Sequence, residues 1–408
     1  RLFVFYLPIF NCKPAGRLFQ RCFRAVANML SCRRNEQKTV FCFVLRPIYT
    51  IFAENVLLIM KKLTLFFILP LLLVAVCGHA QRKYSVYAVG FYNQENLFDT
   101  CHDEGKNDSE FLPSGSYRWN GLKYTHKLRN MARALADMGT DVLPKVGCAV
   151  IGLSEVENAK VLDDLTAQEP LRARGYKYVH VEGPDKRGID CAMLYNPSLF
   201  KVVDVKLVPY VPDESMAKDY CTRGFLTVSG ELAGEPVAVV VCHWPSRFAG
   251  SSYRERAAEL VKNLKDSLLN VNPDMKVMVM GDMNDDPTNK SMKDVLRAKA
   301  DANSVNEGDM YNPWYNILVK QGTGTLSYQG SWNLFDQIVL TPNMVNKSGK
   351  RDFSTLKYWK NQIFRRDYLI NTEGRYKGTP KRTHASGIWL DGFSDHLPVV
   401  VYLVKEQQ

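Results

Sequence analysis

After residue 80 the chain alternates between short apolar runs, typical of β-strands, and segments with helical periodicity. Helices are predicted for residues 127–139 and 252–269, where apolar side chains recur every three or four positions, and a further helix near 288–298. Ser252 and Glu255 have the spacing of a capping box. Strands are predicted for 84–93, 148–155 and the runs KYVHVEG, IDCAMLY, FKVVDVKLV, GFLTVSGEL, PVAVVVCHW, KVMVMG, LFDQIVLT and LPVVVYLV. This alternation predicts an α/β protein.

Three stretches follow neither pattern, namely residues 101–125, 299–332 and 345–393, which are rich in Gly, Pro and aromatic residues. Long loops in a compact α/β domain often build its active site. Because no repeat and no linker interrupts residues 81–408, we expect them to form one domain.

The first 80 residues have a different character. Residues 1–59 show no sustained periodicity and are interpreted as translated upstream sequence. From Met60 the chain has two lysines, a 14-residue apolar stretch from Leu63 to Val76, and small residues up to Ala80. This pattern predicts a signal peptide over residues 60–80 and an exported protein, whether periplasmic, attached to the cell surface or secreted. A membrane anchor is the alternative, but the apolar stretch is short for a bilayer span.

Most of the net charge of +11 belongs to this N-terminal part. Residues 1–80 contain 11 Lys and Arg against 2 Asp and Glu, which leaves 42 bases and 40 acids, a net charge of +2, in the remainder. A nearly neutral domain gives no strong case for a polyanionic partner.

Five cysteines follow residue 80, at positions 101, 148, 191, 221 and 242. The odd number argues against a complete disulfide framework, and the absence of a Cys-x-x-Cys pair argues against a structural zinc site. Cys148, Cys191 and Cys242 lie in apolar runs, so we expect them to be buried free thiols.

Polar side chains mark the ends of six apolar runs. They are Asn93, Glu155, His243 with Arg247, Asp282 with Asn284, Asp336, and Asp395 with His396. Any one of them can be ordinary turn chemistry or a satisfied core residue. Ligand sites of α/β sheets gather at strand ends, however, so the set together predicts one functional site.

The chemistry of this set indicates phosphoester hydrolysis. Oxygen ligands from Asn93, Glu155 and Asp395 suit a hard divalent cation, and there is no cluster of soft ligands. His396, oriented by a carboxylate, would serve as a base for water, and His243 as an acid for the leaving oxygen. With the arginine that follows His243 as an anion clamp, these groups describe attack of a metal-activated water on a phosphate ester.

Six stretches in order resemble the endonuclease/exonuclease/phosphatase superfamily: FYNQENLFD, GLSEVEN, RGIDCAMLY, HWPSR, GDMND and SDHLPV, which cover nearly all of residues 84–404. HWPSR and GSWNLFDQIVL most resemble exported bacterial members. The resemblance implies a four-layer α/β sandwich with two packed mixed sheets flanked by helices. It also implies a phosphoric ester hydrolase that uses Mg²⁺, with Mn²⁺ or Ca²⁺ as alternatives.

By this resemblance Glu155 is the direct metal ligand, with Asn93 and Asp395 supporting the metal side. Asp282 and Asn284 position the attacking water and the scissile phosphate.

The same resemblance gives roles to the histidines. Asp336 orients His396, which either removes the proton of the water or contacts the phosphate, and His243 matches the general acid of the deoxyribonuclease and sphingomyelinase branches. The residues expected to bind substrate are Arg187, Asp190, Tyr195 and Arg247. The abasic-site nucleases have a segment without histidine in place of HWPSR, so their repair specificity is not implied.

The substrate stays open among nucleic acid, lipid and sugar phosphates. The main expectation is an exported metal-dependent phosphoesterase that acts on a phosphodiester or a phosphomonoester. The alternatives are a lipid phosphodiesterase of the sphingomyelinase type and an inactive relative that only binds, although the acids and histidines required for catalysis are present. No obligate protein partner is evident, and we expect a monomer.

Overall fold

The computed structural model describes residues 82–407 together with Leu58, Met60, Lys62 and Phe66. The chain divides into two compact units, Arg1–Gln81 and Arg82–Gln408. In the first unit the four described residues are helical, and the rest of the predicted upstream sequence and signal peptide lies outside the described residues. Among the helices of the described residues, none combines the length and the apolar character that a membrane span needs.

The second unit is built from strands and a few helices. The strands are β1 (Tyr84–Leu97), β2 (Cys148–Val156), β3 (Lys177–His180), β4 (Asp190–Tyr195), β5 (Phe200–Val208), β6 (Phe225–Leu232), β7 (Glu235–His243), β8 (Lys276–Asp282), β9 (Ala298–Lys299), β10 (Met310–Tyr311), β11 (Leu326–Tyr328), β12 (Ser331–Asn333), β13 (Asp336–Leu340), β14 (Lys357–Ile363), β15 (His384–Ala385), β16 (Ile388–Trp389) and β17 (Val399–Glu406). The helices are α1 (Gly121–Asp137), α2 (Ala159–Thr166), α3 (Glu169–Arg172), α4 (Ser251–Val271) and α5 (Tyr315–Gln321), with a π-helical turn at Ser291–Val295.

Most strands belong to two large mixed sheets. The first has the strand order β14-β17-β1-β2-β4-β3, and the second β5-β6-β7-β8-β13-β10-β9. β1 and β2 pair in parallel in the first sheet, as β7 and β8 do in the second, while β17 and β13 run antiparallel to them. The predicted catalytic residues lie at the ends of these central strands.

Three apolar clusters separate four layers. Side chains of both sheets, among them Val89, Val239 and Val401, meet in the cluster between the sheets. A second cluster joins the outer face of the first sheet to α1, α2 and α3, and a third joins the outer face of the second sheet to α4. Because successive residues of a strand point to opposite faces, each central strand contributes to two clusters. The predicted four-layer α/β sandwich is confirmed.

Several predicted elements have different limits in the structure. Strand β1 continues to Leu97, and α1 begins at Gly121 because the Asn120 side chain accepts the Lys123 N–H. The predicted helix near 288–298 is a single π-helical turn. The capping box is wrong: Gly250 precedes α4 without a side-chain cap, and Glu255 accepts a hydrogen bond from Lys290 instead.

Glu235 joins the two sheets at their end far from the catalytic candidates. Its carboxylate lies 2.5 Å from the Lys276 ammonium of β8 and 2.8 Å from the Lys405 ammonium of β17, and it accepts the Leu356 N–H at 2.9 Å. Burial raises the pKa of Glu235, but the bonds to Lys276 and Lys405 outweigh it and lower the pKa below its ordinary value.

We expect Glu235→Gln to reduce the free energy of unfolding at pH 7 by about 3 kcal/mol, because it leaves a buried ammonium without its charge partner. Since the folded-state pKa is lowered, this stability is present above the ordinary Glu pKa of about 4.3 and is lost as the pH falls through the folded value. Urea unfolding at pH 7 measures the loss of stability. The same measurement at pH 3 shows how much of that loss depends on the charge of Glu235. Glu231→Gln is the control, because that carboxylate is 51 % exposed. An equal effect of the two substitutions would contradict the prediction.

Candidate active site

Three neighbouring strands of the second sheet place their catalytic candidates in one row at the same edge of the sheet. In the strand register, His243 of β7 lies opposite Asp282 of β8, and Asp336 of β13 lies opposite the same Asp282. Gly281 precedes this row where the backbones come close: a Cβ there would lie 2.2 Å from the Cys242 carbonyl oxygen. Gly281 therefore lets strand β8 place the buried carboxylate of Asp282 between two other functional side chains.

The first sheet contributes a second row, at irregular strand ends. Asn93 of β1 lies opposite Ser154 of β2, and the next residue, Glu155, adopts a left-handed conformation with φ 59° where the strand register shifts. The Asn96 backbone N–H donates to Glu155 Oε2 at 2.9 Å and fixes the carboxylate. Left-handed backbone at a non-glycine residue is strained and is often found at functional sites.

The two rows meet between the sheets. Asn93 Nδ2 lies 3.1 Å from Asp282 Oδ2 and 3.4 Å from Glu155 Oε1, so one amide connects carboxylates of both sheets. His396 Nδ1, before β17, lies 2.7 Å from Asp336 Oδ2. The structure thus brings Asn93, Glu155, His243, Asp282, Asp336, Asp395 and His396 into one cluster.

The cluster also fixes its own backbone. Ser394 Oγ donates to the Asn93 carbonyl oxygen at 2.8 Å and accepts the His396 N–H at 3.1 Å. The start of β17 is thereby tied to the end of β1, which holds the imidazole of His396 over the second sheet.

The two histidines have opposite electrostatic environments. Burial lowers the pKa of His396, but the carboxylates of Asp336, Asp395 and Asp282 outweigh it and raise the pKa well above its ordinary value. Burial, with further contributions from nearby arginines and His396, lowers the pKa of His243 well below its ordinary value. His243 Nδ1 is buried without a hydrogen-bond partner, whereas its Nε2 lies 3.6 Å from Asp282 Oδ2 and 3.8 Å from Glu155 Oε1.

The acids fit a divalent cation. Burial and the carboxylates of Asp336 and Glu155 raise the pKa of Asp282 to about 6 against the opposing effect of His396, and Asp336 Oδ1 is buried without a partner. Ligand atoms of Asp282, Asp336 and His396 lie within 4.8 Å of one another, a group that differs from the predicted ligands Asn93, Glu155 and Asp395. Crowded carboxylate oxygens suit a hard cation. The Asn93 amide oxygen accepts the Glu95 N–H at 2.8 Å, so the amide nitrogen is the group that faces the carboxylates.

Asn284 and Arg247 form the rim on the side of the second sheet. Asn284 is also left-handed, with φ 49°; its N–H donates to Asp282 Oδ1 at 2.9 Å and its Nδ2 to the Trp244 carbonyl oxygen at 3.0 Å. Arg247 donates to Asp286 Oδ2 at 2.9 Å and to the Asn284 carbonyl oxygen at 3.2 Å. These bonds use much of the guanidinium to support the loop of Asn284, and anion binding by Arg247 stays a prediction.

The stretch RGIDCAMLY is only partly at the site. Arg187 donates to Asn96 Oδ1 at 2.5 Å, next to the bond that fixes Glu155. Asp190 lies opposite Val156 at the site end of β4, where it accepts the Gly183 N–H and contacts His180 Nε2, both at 3.0 Å. The Asp190 carboxylate therefore lies beside the cluster and already has two hydrogen-bond partners of its own.

The prediction that Tyr195 binds substrate is wrong. Tyr195 lies opposite Val150 at the other end of β4, and its ring packs against Phe200. The five positions between Asp190 and Tyr195 along an extended strand correspond to roughly 17 Å.

Sequence reasoning missed an ionic network behind Asp395, in which Glu95 is buried and Arg382 is half exposed. Glu95 accepts Arg382 Nε at 3.1 Å and the Thr383 N–H at 2.6 Å, while Arg382 Nη2 donates to Asp395 Oδ2 at 3.0 Å. Lys127 donates to Thr383 Oγ1 at 2.6 Å. Burial raises the pKa of Glu95 to about 7. A carboxylate inside an apolar strand was the available signal for Glu95, whereas Arg382 lies in an aperiodic segment that gave none.

Two packed mixed sheets, with acids and imidazoles converging at their strand ends, define a phosphoesterase-like α/β sandwich. The model of the Endonuclease/Exonuclease/phosphatase family matches residues 88–405. The chain therefore belongs to this family, whose members are phosphoesterases that depend on divalent metals. No curated protein matches the sequence.

Similar solved structures come from animals and bacteria. Humanized D. rerio TDP2 is 15 % identical, over 78 % of this chain and 98 % of that chain, with a TM-score of 0.47. An endonuclease/exonuclease/phosphatase family protein from Bacteroides thetaiotaomicron is 16 % identical, over 80 % and 97 %, with a TM-score of 0.47. The mannosyl-6-phosphatase Bt3783 of the same organism is 17 % identical, over 78 % and 99 %, with a TM-score of 0.47.

Proposed function

We propose that this protein is an exported hydrolase that cleaves a phosphodiester or phosphomonoester with the help of a divalent cation, Mg²⁺ being the expected one. The observation that carries the proposal is the cluster in which the amide of Asn93 lies between the carboxylates of Glu155 and Asp282. Neither sheet contains this cluster alone, and the His396–Asp336 pair joins it from the same two sheets.

Glu155 and Asp395 would hold the cation, with Asn93 keeping Glu155 in place. When bound, the cation would polarise a phosphoryl oxygen and lower the pKa of the attacking water. Glu155 suits this role because the Asn96 N–H fixes one of its oxygens, while the side chain is 14 % exposed and open to a ligand.

The remaining residues would handle the water, the phosphate and the protons. Asp282, oriented by the Asn284 N–H, would hold the attacking water. His396, oriented by Asp336, presents Nε2 to the phosphate and either takes or gives a proton there. His243 would carry out the other proton transfer of the reaction, with Nε2 facing Asp282 and Glu155.

The test is a panel of phosphate esters, each with Mg²⁺ and with EDTA: plasmid DNA, RNA, sphingomyelin, inositol phosphates and bis-p-nitrophenyl phosphate. We expect hydrolysis of at least one of them, abolished by EDTA. Hydrolysis of sphingomyelin alone would select the lipid phosphodiesterase alternative. Hydrolysis of none would select the binding-only alternative and overturn the proposal.

Export gives a separate prediction. The lysines after Met60, the apolar stretch and Gly78-His79-Ala80 support a mature protein that begins at Gln81. N-terminal sequencing of the protein recovered outside the cytoplasm is expected to start there. Recovery of that protein with residues 1–59 attached would contradict both the cleavage site and the interpretation of those residues.

A further inference from the structure

A cavity of about 110 Å³ lies beside the catalytic cluster. Its wall includes the charged pair Glu95 and Arg382, the rings of Tyr117 and His384, and Ser386 at the turn between β15 and β16. Phe111 lies behind Tyr117, with the two rings stacked at 5.0 Å. The wall of the cavity therefore combines aromatic faces with polar groups.

The cavity adjoins the cluster that would hold the phosphate, because two of its wall residues bond to cluster carboxylates. Asn96, another wall residue, donates its N–H to Glu155 Oε2 at 2.9 Å. Arg382 donates to Asp395 Oδ2 at 3.0 Å. For a substrate whose phosphate lies at Glu155 and Asp395, this cavity would therefore be a neighbouring site for the group esterified to it.

His384 is the wall residue that points most clearly to a ligand. It is 8 % exposed, and its buried Nε2 has no hydrogen-bond partner. Its ring packs against Tyr117 at 4.7 Å, Trp389 at 5.2 Å and Trp119 at 5.5 Å. Burial, together with the charges of Lys123, Lys127 and Arg382, lowers the pKa of His384 to about 4, so the imidazole is neutral near pH 7. A buried polar atom without a partner is costly, so a ligand hydroxyl that reaches this nitrogen would be stabilised there.

We infer that this cavity binds the group esterified to the phosphate, and that this group is a polyhydroxylated ring of monosaccharide size. The inference rests on the proposed function and narrows its substrate to a sugar phosphate. A volume of about 110 Å³ is well below the ~300–1,000 Å³ of pockets for drug-sized ligands, which favours a group of monosaccharide size over a nucleoside or an acyl chain. Ser386 and His384 supply polar partners for hydroxyl groups, and the Tyr117 ring supplies a face for the carbons of the sugar.

Two substitutions remove polar groups from the wall and keep the volume. His384→Phe replaces the imidazole by another ring, and Ser386→Ala removes a hydroxyl. We expect each to raise the KM for glucose 6-phosphate or mannose 6-phosphate roughly tenfold, with little change in kcat, because one hydrogen bond to the sugar is lost. Each should change the KM for p-nitrophenyl phosphate much less, because that ester has no sugar hydroxyls. Ser348→Ala, at an exposed serine outside the wall, is the matched control.

The source of the sugar is tested by one further pair of substrates. Glucose 6-phosphate represents a free sugar phosphate, and methyl glucoside 6-phosphate represents a sugar linked to a glycan. Cleavage of either one with the tenfold effect supports the inference and identifies the source.

Equal losses on p-nitrophenyl phosphate and sugar phosphate would mean that the wall residues are structural and would overturn the inference. So would a wild-type protein that hydrolyses nucleic acid or lipid but no sugar phosphate, and the proposed function would then stand without it. Failure to hydrolyse any phosphate ester would overturn both.

Discussion

Replacing His396 by alanine is expected to lower kcat on an unactivated phosphate ester by ~10²–10⁴-fold, the usual contribution of a proton-transfer residue. Asp336→Asn should cause a loss of similar size, because the 2.7 Å contact between Asp336 Oδ2 and His396 Nδ1 sets the orientation of the ring. The double variant should be no worse than the worse single variant, since both residues serve one transition state. Turnover rates and thermal unfolding of all three variants test this.

The chain offers a matched control for this pair. His126 Nδ1 lies 3.2 Å from Asp391 Oδ1, and both side chains are partly exposed and outside the catalytic cluster. His126→Ala and Asp391→Asn should leave kcat unchanged. Full activity of His396→Ala on every ester would make His396 a core histidine and would overturn the assignment of the site.

The leaving group distinguishes the acid from the base. The sequence assigns the acid to His243, but the structure gives His396 a carboxylate that stabilises a protonated ring and leaves His243 Nδ1 without a partner. We therefore expect a p-nitrophenyl ester, which needs little protonation of its leaving oxygen, to restore much of the activity of His396→Ala. It should not restore His243→Ala. The opposite result would return the acid role to His243, and rescue of neither variant would exclude both as acids.

Glu155→Gln is expected to weaken the apparent affinity for Mg²⁺ by about 100-fold, since loss of even an outer-shell partner of a metal ligand typically costs 10–100-fold. The substitution keeps the size of the side chain and removes the charge that would face the cation. Activity as a function of Mg²⁺ concentration measures the shift, and calorimetric titration of Mg²⁺ measures binding without turnover. Unfolding temperature should change little, because glutamine keeps one side-chain oxygen that can still accept the Asn96 N–H.

A second acidic cluster provides the control. His180, Glu182 and Asp190 also have ligand atoms close together, but the Lys106 ammonium lies 3.2 Å from Glu182 Oε1 and already supplies a positive charge there. Glu182→Gln should leave the Mg²⁺ dependence unchanged. Undiminished activity of Glu155→Gln at limiting Mg²⁺ would rule out Glu155 as the main ligand.

The central part of the fold could be predicted from the sequence because its strands are apolar on both faces. The runs that became β2, β7, β8 and β17 are buried nearly throughout, and each is bounded by polar residues. The same contrast located the site, since a charged side chain directly after such a run must lie at the edge of the core. This contrast predicts Asp282, His243 and Asp336 as site residues without knowledge of the strand register.

The peripheral elements could not be found by the same argument. Strand β14 is partly exposed along its length at the edge of the first sheet, so its sequence lacks a continuous apolar run. The prediction for Tyr195 fails because the sequence of a motif does not show which end of its strand reaches the site. Arg382 and His384 come from the segment 345–393, and only tertiary contacts bring them to Glu95 and Tyr117.

The left-handed backbone at Glu155 and Asn284 has a consequence for laboratory evolution. A side chain in this conformation costs about 1–2 kcal/mol relative to glycine, which adopts it freely. Selection for heat resistance alone should therefore enrich glycine at Glu155, whereas asparagine at position 284 tolerates this conformation better, as stabilising substitutions commonly arise where function has kept a strained residue. The most heat-resistant variants would then be inactive, so a screen for stable variants needs an activity assay in every round.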